Sequence, residues 1–176
     1  MTDDLFTGFA TRIRNRERAI GYWCVLEAPG ATERIARIGY DYVVLDGQHG
    51  LLGYSGILQG LMAIDAGASA VGLVRVEANN ATPIGRALDA GAGGVIVPLI
   101  DTAADAAAAV SAGWLPSTWP PWASGRLPGQ SVIVQHQPHP AGEQGSEHPV
   151  RELRHDVGWG QSREGDAITH TVTVPT

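Results

Sequence analysis

The 176-residue sequence contains no lysine, and all 12 of its basic residues are arginine. Schiff-base catalysis and the P-loop both depend on a lysine amine, so the sequence excludes these two chemistries. Its single cysteine, Cys24, excludes an intramolecular disulfide framework. Because Cys24 lies in an apolar run, we expect it to be a small buried core residue.

The sequence is also poor in positive charge and in long apolar runs. A net charge of −6 and a pI of about 5.4 argue against a nucleic-acid partner. No segment approaches the roughly 20 apolar residues of a membrane span. Residues 1–4 carry acids where a secretory signal peptide would carry positive charge. We therefore expect a cytoplasmic enzyme or binding protein that has no nucleic-acid or membrane partner.

Residues 1–112 alternate between short apolar runs and helical patterns. An opening helix is predicted over 6–18, and glycines at 39, 67 and 91 mark the ends of later helices. Predicted strands cover 20–26, 42–45, 70–76 and 94–100, and predicted helices cover 31–38, 55–66, 81–90 and 102–112. Four successive βα units with apolar strands predict an α/β fold with a parallel sheet or barrel.

Residues 113–176 have a different composition. They hold eight of the 11 prolines, four of the five tryptophans and five of the six histidines. Only 131–134 and 171–174 keep a strand-like pattern, and prolines at this density interrupt helices and sheets. We therefore predict an irregular, disordered tail. Its histidines lack helical i, i+4 spacing, which favours solvated side chains over metal ligands.

Five residues of the first part could carry chemistry. His49 follows the second strand and Arg75 ends the third, where parallel barrels hold their active sites. A histidine there can act as a general base and an arginine can stabilise an enolate or carboxylate; the alternative is a loop histidine and a surface charge. We expect Asp46 to orient a neighbour or cap a helix. Trp23 either walls a substrate pocket or packs in the core. Asp89 near a helix C-terminus is unfavourable for the helix dipole, which invites a functional reason.

Five segments, taken in order, make a resemblance specific. They are Ile20–Trp23, Gly39–Gly50, Val74–Val76, Ala87–Ala92 and Val95–Pro98. Together they resemble the HpcH/HpaI aldolase family, which are metal-dependent pyruvate aldolases of the 4-hydroxy-2-oxoheptanedioate aldolase type. The resemblance implies the N-terminal half of a (β/α)₈ TIM barrel, with four βα units over residues 1–112.

The resemblance also implies roles for three residues. His49 resembles the catalytic base, and Arg75 resembles the arginine that stabilises the pyruvate enolate. Asp89 resembles an acid that reaches the histidine from a neighbouring subunit, so a homo-oligomer is expected. The implied substrate is a small oxo acid, and the absence of lysine agrees with a metal-dependent aldolase.

The departures from the family concern its metal site. Members bind a divalent cation, Mg²⁺ or Mn²⁺, through a Gln-x-Glu and a Gly-Pro-x-Asp-Leu motif, and neither motif occurs here. The segment most similar to the Gln-x-Glu motif is Gln135-His136-Gln137, which has no carboxylate. We therefore expect no metal ligands in this chain and little or no aldolase activity. One alternative is a non-catalytic fragment or an oligomerisation partner that lends Asp89 to an intact aldolase. Another is a citramalyl- or malyl-CoA-type lyase. The lack of a basic CoA-binding cluster argues against this second alternative.

The sequence of residues 113–176 also suggests a frameshift in the coding DNA. Read one nucleotide later, every tryptophan codon becomes a glycine codon, so Trp114, Trp119 and Trp122 all become glycine. The shifted segment can read Gly-Tyr-Pro-Pro-x-Gly-x-Arg-Gly, whereas the family has Arg-Tyr-Pro-Pro-x-Gly-x-Arg-Gly there. We hypothesise a single-nucleotide insertion, or an equivalent sequencing error, near codons 110–113; a genuine divergent extension is the alternative.

The coding DNA tests this hypothesis directly. The +1 frame after codon 112 is expected to encode both the Gln-x-Glu and the Gly-Pro-x-Asp-Leu motifs. Resequencing the gene from genomic DNA is the control, since it separates a true insertion from a reading error. A +1 frame without the two motifs would mean that residues 113–176 are a real extension.

Overall fold

The computed structural model describes residues 2–113, 130–136, 158–164 and 167–173. Helices and strands alternate from the start, as the predicted α/β order requires, and no helix within these ranges has the length and apolar character needed to cross a membrane. The elements are α1 (Thr2–Arg14), β1 (Gly21–Cys24), α2 (Pro29–Ala36), β2 (Tyr42–Asp46), α3 (Tyr54–Gly67), β3 (Val71–Arg75), α4 (Ala81–Asp89), β4 (Gly94–Val97), α5 (Ala103–Gly113), β5 (Ser131–His136), β6 (Gly158–Glu164) and β7 (Ala167–Thr173).

Strands β1 to β5 form a parallel sheet in sequence order. This arrangement is that of successive βα units in a TIM barrel and confirms the predicted fold class. The sheet continues beyond residue 112, because β5 pairs with β4 and, on its other edge, antiparallel with β7, which pairs with β6. The strand-like run at 131–134 therefore falls on β5, and residues 171–173 of the second run fall on the end of β7. The positions of Trp114, Trp119, Trp122 and Gln137 lie outside the described residues.

Glycines end two of the helices as the sequence predicts. Gly39 and Gly91 follow α2 and α4 with φ of 108° and 96°, a left-handed region that glycine enters without steric cost. Gly67 also marks the end of a helix, since it is the last residue of α3, but here Ala68 takes the left-handed conformation, with φ of 60°. Gly67 serves packing instead, because a methyl group there would come within 2.6 Å of the Ala36 Cβ on α2.

The sheet has two faces with different coverings. The outer face carries Val43, Leu45 and Val74, which pack in one buried cluster with residues of α2 to α5. The inner face carries the alternate residues, among them Val44 and Leu73, which pack against phenylalanines of α1. Because side chains alternate along a strand, the series on the inner face continues to Asp46 on β2 and Arg75 on β3. These two polar residues thus end the inner face at its C-terminal edge.

We predict that the burial of Leu45 on the outer face contributes strongly to the stability of the described sheet. Leu45 is completely buried and lies so close to α3 that a methyl group on Gly60 would approach its Cδ1 to 2.7 Å. Leu45→Ala is therefore expected to lower the free energy of unfolding by about 2–5 kcal/mol, as measured by urea denaturation. Leu51→Ala is the matched control, since Leu51 is 78% exposed, and it is expected to change stability by less than about 0.5 kcal/mol. Equal losses in the two variants would contradict this account of the core.

Candidate active site

An ion pair between Asp46 and Arg75 lies at the C-terminal edge of the inner face of the sheet. The two residues are direct register partners at the ends of β2 and β3. Arg75 donates from Nε to Asp46 Oδ1 at 2.9 Å and from Nη2 to Oδ2, which is a bidentate contact. The side chains are only 12% and 2% exposed. A charge pair of this geometry fixes the guanidinium in one orientation.

Trp23 on β1 joins the same pair. Its indole Nε1 donates to Asp46 Oδ2 at 3.1 Å, and the Arg75 Cζ lies 5.0 Å from the centre of its ring. The ring also packs against the buried cluster of the inner face. Trp23 therefore combines core packing with a polar contact to Asp46 and a cation–π contact to Arg75. Its proposed contact with substrate stays a prediction.

The loop that carries His49 is fixed by the same carboxylate. Asp46 Oδ1 accepts hydrogen bonds from the backbone N–H groups of Gln48, at 3.0 Å, and His49, at 3.1 Å. Gly50 completes the turn, and a methyl group there would come within 2.2 Å of the Asp46 carbonyl oxygen, so only glycine fits. The His49 side chain is exposed. The structure thus holds the backbone of His49 next to Arg75 and leaves its imidazole open to solvent.

These contacts keep Asp46 ionised. Burial by itself would raise the pKa of Asp46, but hydrogen bonds from Arg75, Trp23 and the His49 backbone outweigh it and hold the pKa far below the ordinary value of 3.8. A neutral carboxyl group would lose the bidentate pairing. The charge of Asp46 is therefore part of the structure and is not available for proton transfer near neutral pH.

The structure does not bring Asp89 to His49 within one chain. Asp89 is the exposed last residue of α4, a helix that runs back from the end of β3 to the start of β4. Asp46 and Arg75 lie at the other end of the sheet. A helix of nine residues spans about 13 Å, so a contact between Asp89 and a His49 side chain would have to form between two chains.

Asp46 has more partners than its sequence position indicates. The expectation is that it orients a neighbour or caps a helix, and the structure makes it the common partner of Arg75, Trp23 and the His49 loop. A signal was present in the sequence, since an aspartate and an arginine each end a buried apolar strand of neighbouring βα units. In a parallel sheet such residues come to the same edge.

The described residues do not offer a suitable set of ligands for a divalent cation. Within residues 2–113 and the described strands beyond them, no group of three or more His, Cys, Asp or Glu side chains comes together. Both oxygens of Asp46 are engaged by the contacts above. Gln135, on β5, has a buried Oε1 without a hydrogen-bond partner. A single amide oxygen and a committed carboxylate fall short of the oxygen-rich shell that Mg²⁺ or Mn²⁺ requires.

Comparison with known proteins supports the resemblance. Residues 19–117 match the model of the HpcH/HpaI aldolase/citrate lyase family. This region covers β1 to α5 and includes Trp23, His49, Arg75 and Asp89.

Two curated relatives are aldolases. A 4-hydroxy-2-oxovalerate aldolase from Novosphingobium aromaticivorans is 34% identical over 113 residues, which are 64% of this chain and 42% of that protein. A 5-keto-4-deoxy-D-glucarate aldolase from Klebsiella pneumoniae is 36% identical over 103 residues, which are 58% of this chain and 40% of that protein. The chain thus matches less than half the length of these relatives.

A solved structure shares both sequence and fold. An HpcH/HpaI aldolase/citrate lyase family protein from Burkholderia cenocepacia superimposes with a TM-score of 0.60 at 33% identity. The match covers 65% of this chain and 46% of that protein.

The electrostatics of Asp46 lead to a prediction about stability. Asp46→Asn removes one partner of a buried pair, so we expect a loss of about 3 kcal/mol in unfolding free energy. Because folding lowers the pKa of Asp46, the unfolded state binds the extra proton as the pH falls below about 3.8, and the stability from this group declines there. The wild type should therefore lose stability more steeply below pH 4 than Asp46→Asn, as measured by urea denaturation at several pH values.

The control for this measurement is Asp101→Asn, which removes the same charge at an exposed position. It is expected to shift stability by no more than about 0.5 kcal/mol. Parallel pH profiles for the wild type and Asp46→Asn would contradict the role given to this carboxylate.

Proposed function

The chain belongs to the HpcH/HpaI aldolase/citrate lyase family, and on that premise we propose that its site is built for carbon–carbon bond cleavage. The substrate class is a 4-hydroxy-2-oxo acid, which would yield pyruvate and an aldehyde. The names of the two aldolase relatives support this class of substrate. The observation that carries the proposal is an arginine held by a buried aspartate at the C-terminal edge of a parallel sheet.

The bonding of Arg75 supports a role in binding the oxo acid. A guanidinium group has five N–H donors, and the two bonds to Asp46 leave the others for a ligand. The Asp46 and Trp23 contacts fix the plane of the group before substrate arrives, so little ordering is needed on binding. We propose that Arg75 donates to the carboxylate or to the oxygen of the developing enolate.

His49 is proposed as the general base of the cleavage. Its imidazole would take the proton of the C4 hydroxyl group. The C3–C4 bond then breaks and the C4 fragment leaves as an aldehyde. The electron pair of the broken bond forms the enolate of pyruvate, and protonation of C3 gives pyruvate. The fixed backbone at His49 supports this role, since the loop presents the imidazole at the same edge as Arg75.

Asp89 is proposed to act between subunits. It lies on α4 at the opposite end of the sheet from His49, so a homo-oligomer is the arrangement in which it could orient the histidine of a neighbouring chain. The same placement favours a second candidate function. In that case the chain is a non-catalytic partner that lends Asp89 to an intact aldolase.

We propose that the 176-residue chain alone has little aldolase activity. The family's divalent cation would act as a Lewis acid on the oxo acid, and the described residues do not supply its ligands. The chain does contain Arg75 and His49, together with Asp46, which positions both. The metal ligands would come from the segment that the +1 reading frame is hypothesised to encode.

Two forms of the protein test this proposal together. The 176-residue chain and a version with the +1 frame restored are assayed for pyruvate release from 4-hydroxy-2-oxovalerate, with Mg²⁺ or Mn²⁺ added, using lactate dehydrogenase and NADH. The restored protein is expected to release pyruvate in a metal-dependent manner, and Arg75→Gln and His49→Asn are each expected to lower its rate at least 100-fold. The 176-residue chain is expected to remain at background.

The matched control is Arg34→Gln, which removes an exposed arginine on α2 and should leave the rate within about twofold. Rapid metal-dependent release by the 176-residue chain would overturn the proposed inactivity. An inactive restored protein would count against the aldolase function itself.

A further inference from the structure

A cavity lies on the outer face of the sheet, between α3 and α4. Its volume is about 130 Å³. Its floor is apolar and comes mainly from the sheet and the two helices, with Ile57, Val74, Val76, Pro83 and Ala87. Tyr54, Glu77, Thr82 and Arg86 line it as well and carry its polar atoms, and the Gly47 backbone forms part of its wall.

This cavity is separate from the Asp46–Arg75 site. Val74 and Val76 flank Arg75 in sequence, so they lie on the opposite face of the strand from it. The connection between the two sites is Gly47, whose N–H donates to the Arg75 carbonyl oxygen at 2.8 Å. Gly47 also lies two residues before His49. A molecule in the cavity would therefore contact the loop of the proposed active site from behind.

Arg86 is the polar group that points to a ligand. Its Cζ lies 3.7 Å from the centre of the Tyr54 ring, so the guanidinium is stacked at one side of the cavity. Among the described residues no carboxylate forms an ion pair with it. The first turn of α4 supplies Thr82 at the same cavity, where the helix dipole also favours negative charge.

We propose that this cavity binds a small monocarboxylate with a short apolar chain. The carboxylate would pair with Arg86 and Thr82, while the chain would cover the apolar floor. A cavity of about 150 Å³ is enough for six carbon atoms, so a ligand of four carbons and two oxygens is the right size. Glu77 also lines the cavity and would oppose a second carboxylate on the ligand, since like charges repel. Arg86 opposes an ammonium group in the same way, so the proposed site would favour monocarboxylates over dicarboxylates and, where Arg86 outweighs Glu77, over amines.

Titration of the ¹⁵N-labelled full chain with sodium butyrate, followed by NMR, tests the proposal. Saturable shifts are expected at the backbone amides of Gly47 and Ala87, at constant ionic strength. Butylammonium chloride and succinate are the charge-inverted and doubly charged probes, and each is expected to bind at least tenfold more weakly than butyrate. Glu77→Gln is expected to reduce the preference for butyrate over succinate.

Two variants separate the cavity from non-specific binding. Arg86→Gln is expected to raise the Kd for butyrate at least tenfold, and Ala87→Leu is expected to fill the cavity and abolish the shifts. Arg34→Gln removes an equally exposed helical arginine and should leave the Kd within twofold. Arg86 is exposed, so its variant decides the question even where Ala87→Leu does not fold. Unsaturable shifts, equal binding of butylammonium, or a Kd unchanged by Arg86→Gln would overturn the proposal.

Discussion

The bidentate pairing of Asp46 with Arg75 is the contact on which the rest of this site depends. A buried carboxylate is costly unless it is paired and fully hydrogen-bonded. Asp46 meets that condition by drawing donors from β1, β3 and the loop after β2. The same bonds that keep the charge stable therefore also fix the three parts of the chain that carry Trp23, Arg75 and His49.

The alternation of side chains along β3 places neighbouring residues at two different regions of the molecule. Arg75 lies on the inner face among the groups proposed for catalysis, and Val74 and Val76 lie on the outer face at the cavity beside α4. The peptide of Gly47 touches both, because it bonds to the Arg75 carbonyl group and lines the cavity. A single strand thus contributes side chains to both faces, and the backbone of Gly47 is the contact that the two regions share.

The sequence predicted the helices and strands of residues 1–112 well because their signals are local. Apolar runs, and glycines such as Gly39 and Gly91 that take positive φ, depend on a few neighbouring residues. Gly67 was interpreted less well, since its close approach to Ala36 is a contact between helices that no local pattern contains. The importance of Asp46 was likewise hidden, because its partners lie 23 and 29 residues away.

Sequence similarity and completeness of the site are different properties in this chain. The family match covers 19–117 and includes Arg75 and Asp46, the pair proposed to bind and orient an oxo acid. Metal-assisted cleavage of a carbon–carbon bond needs, in addition, oxygen ligands facing the same edge of the sheet. Gln135 on β5 contributes only an amide oxygen among the described residues, and Asp89 lies at the far end of α4. In the proposed function, the described site would therefore pre-organise an oxo acid, while turnover would depend on ligands supplied by another segment or another subunit.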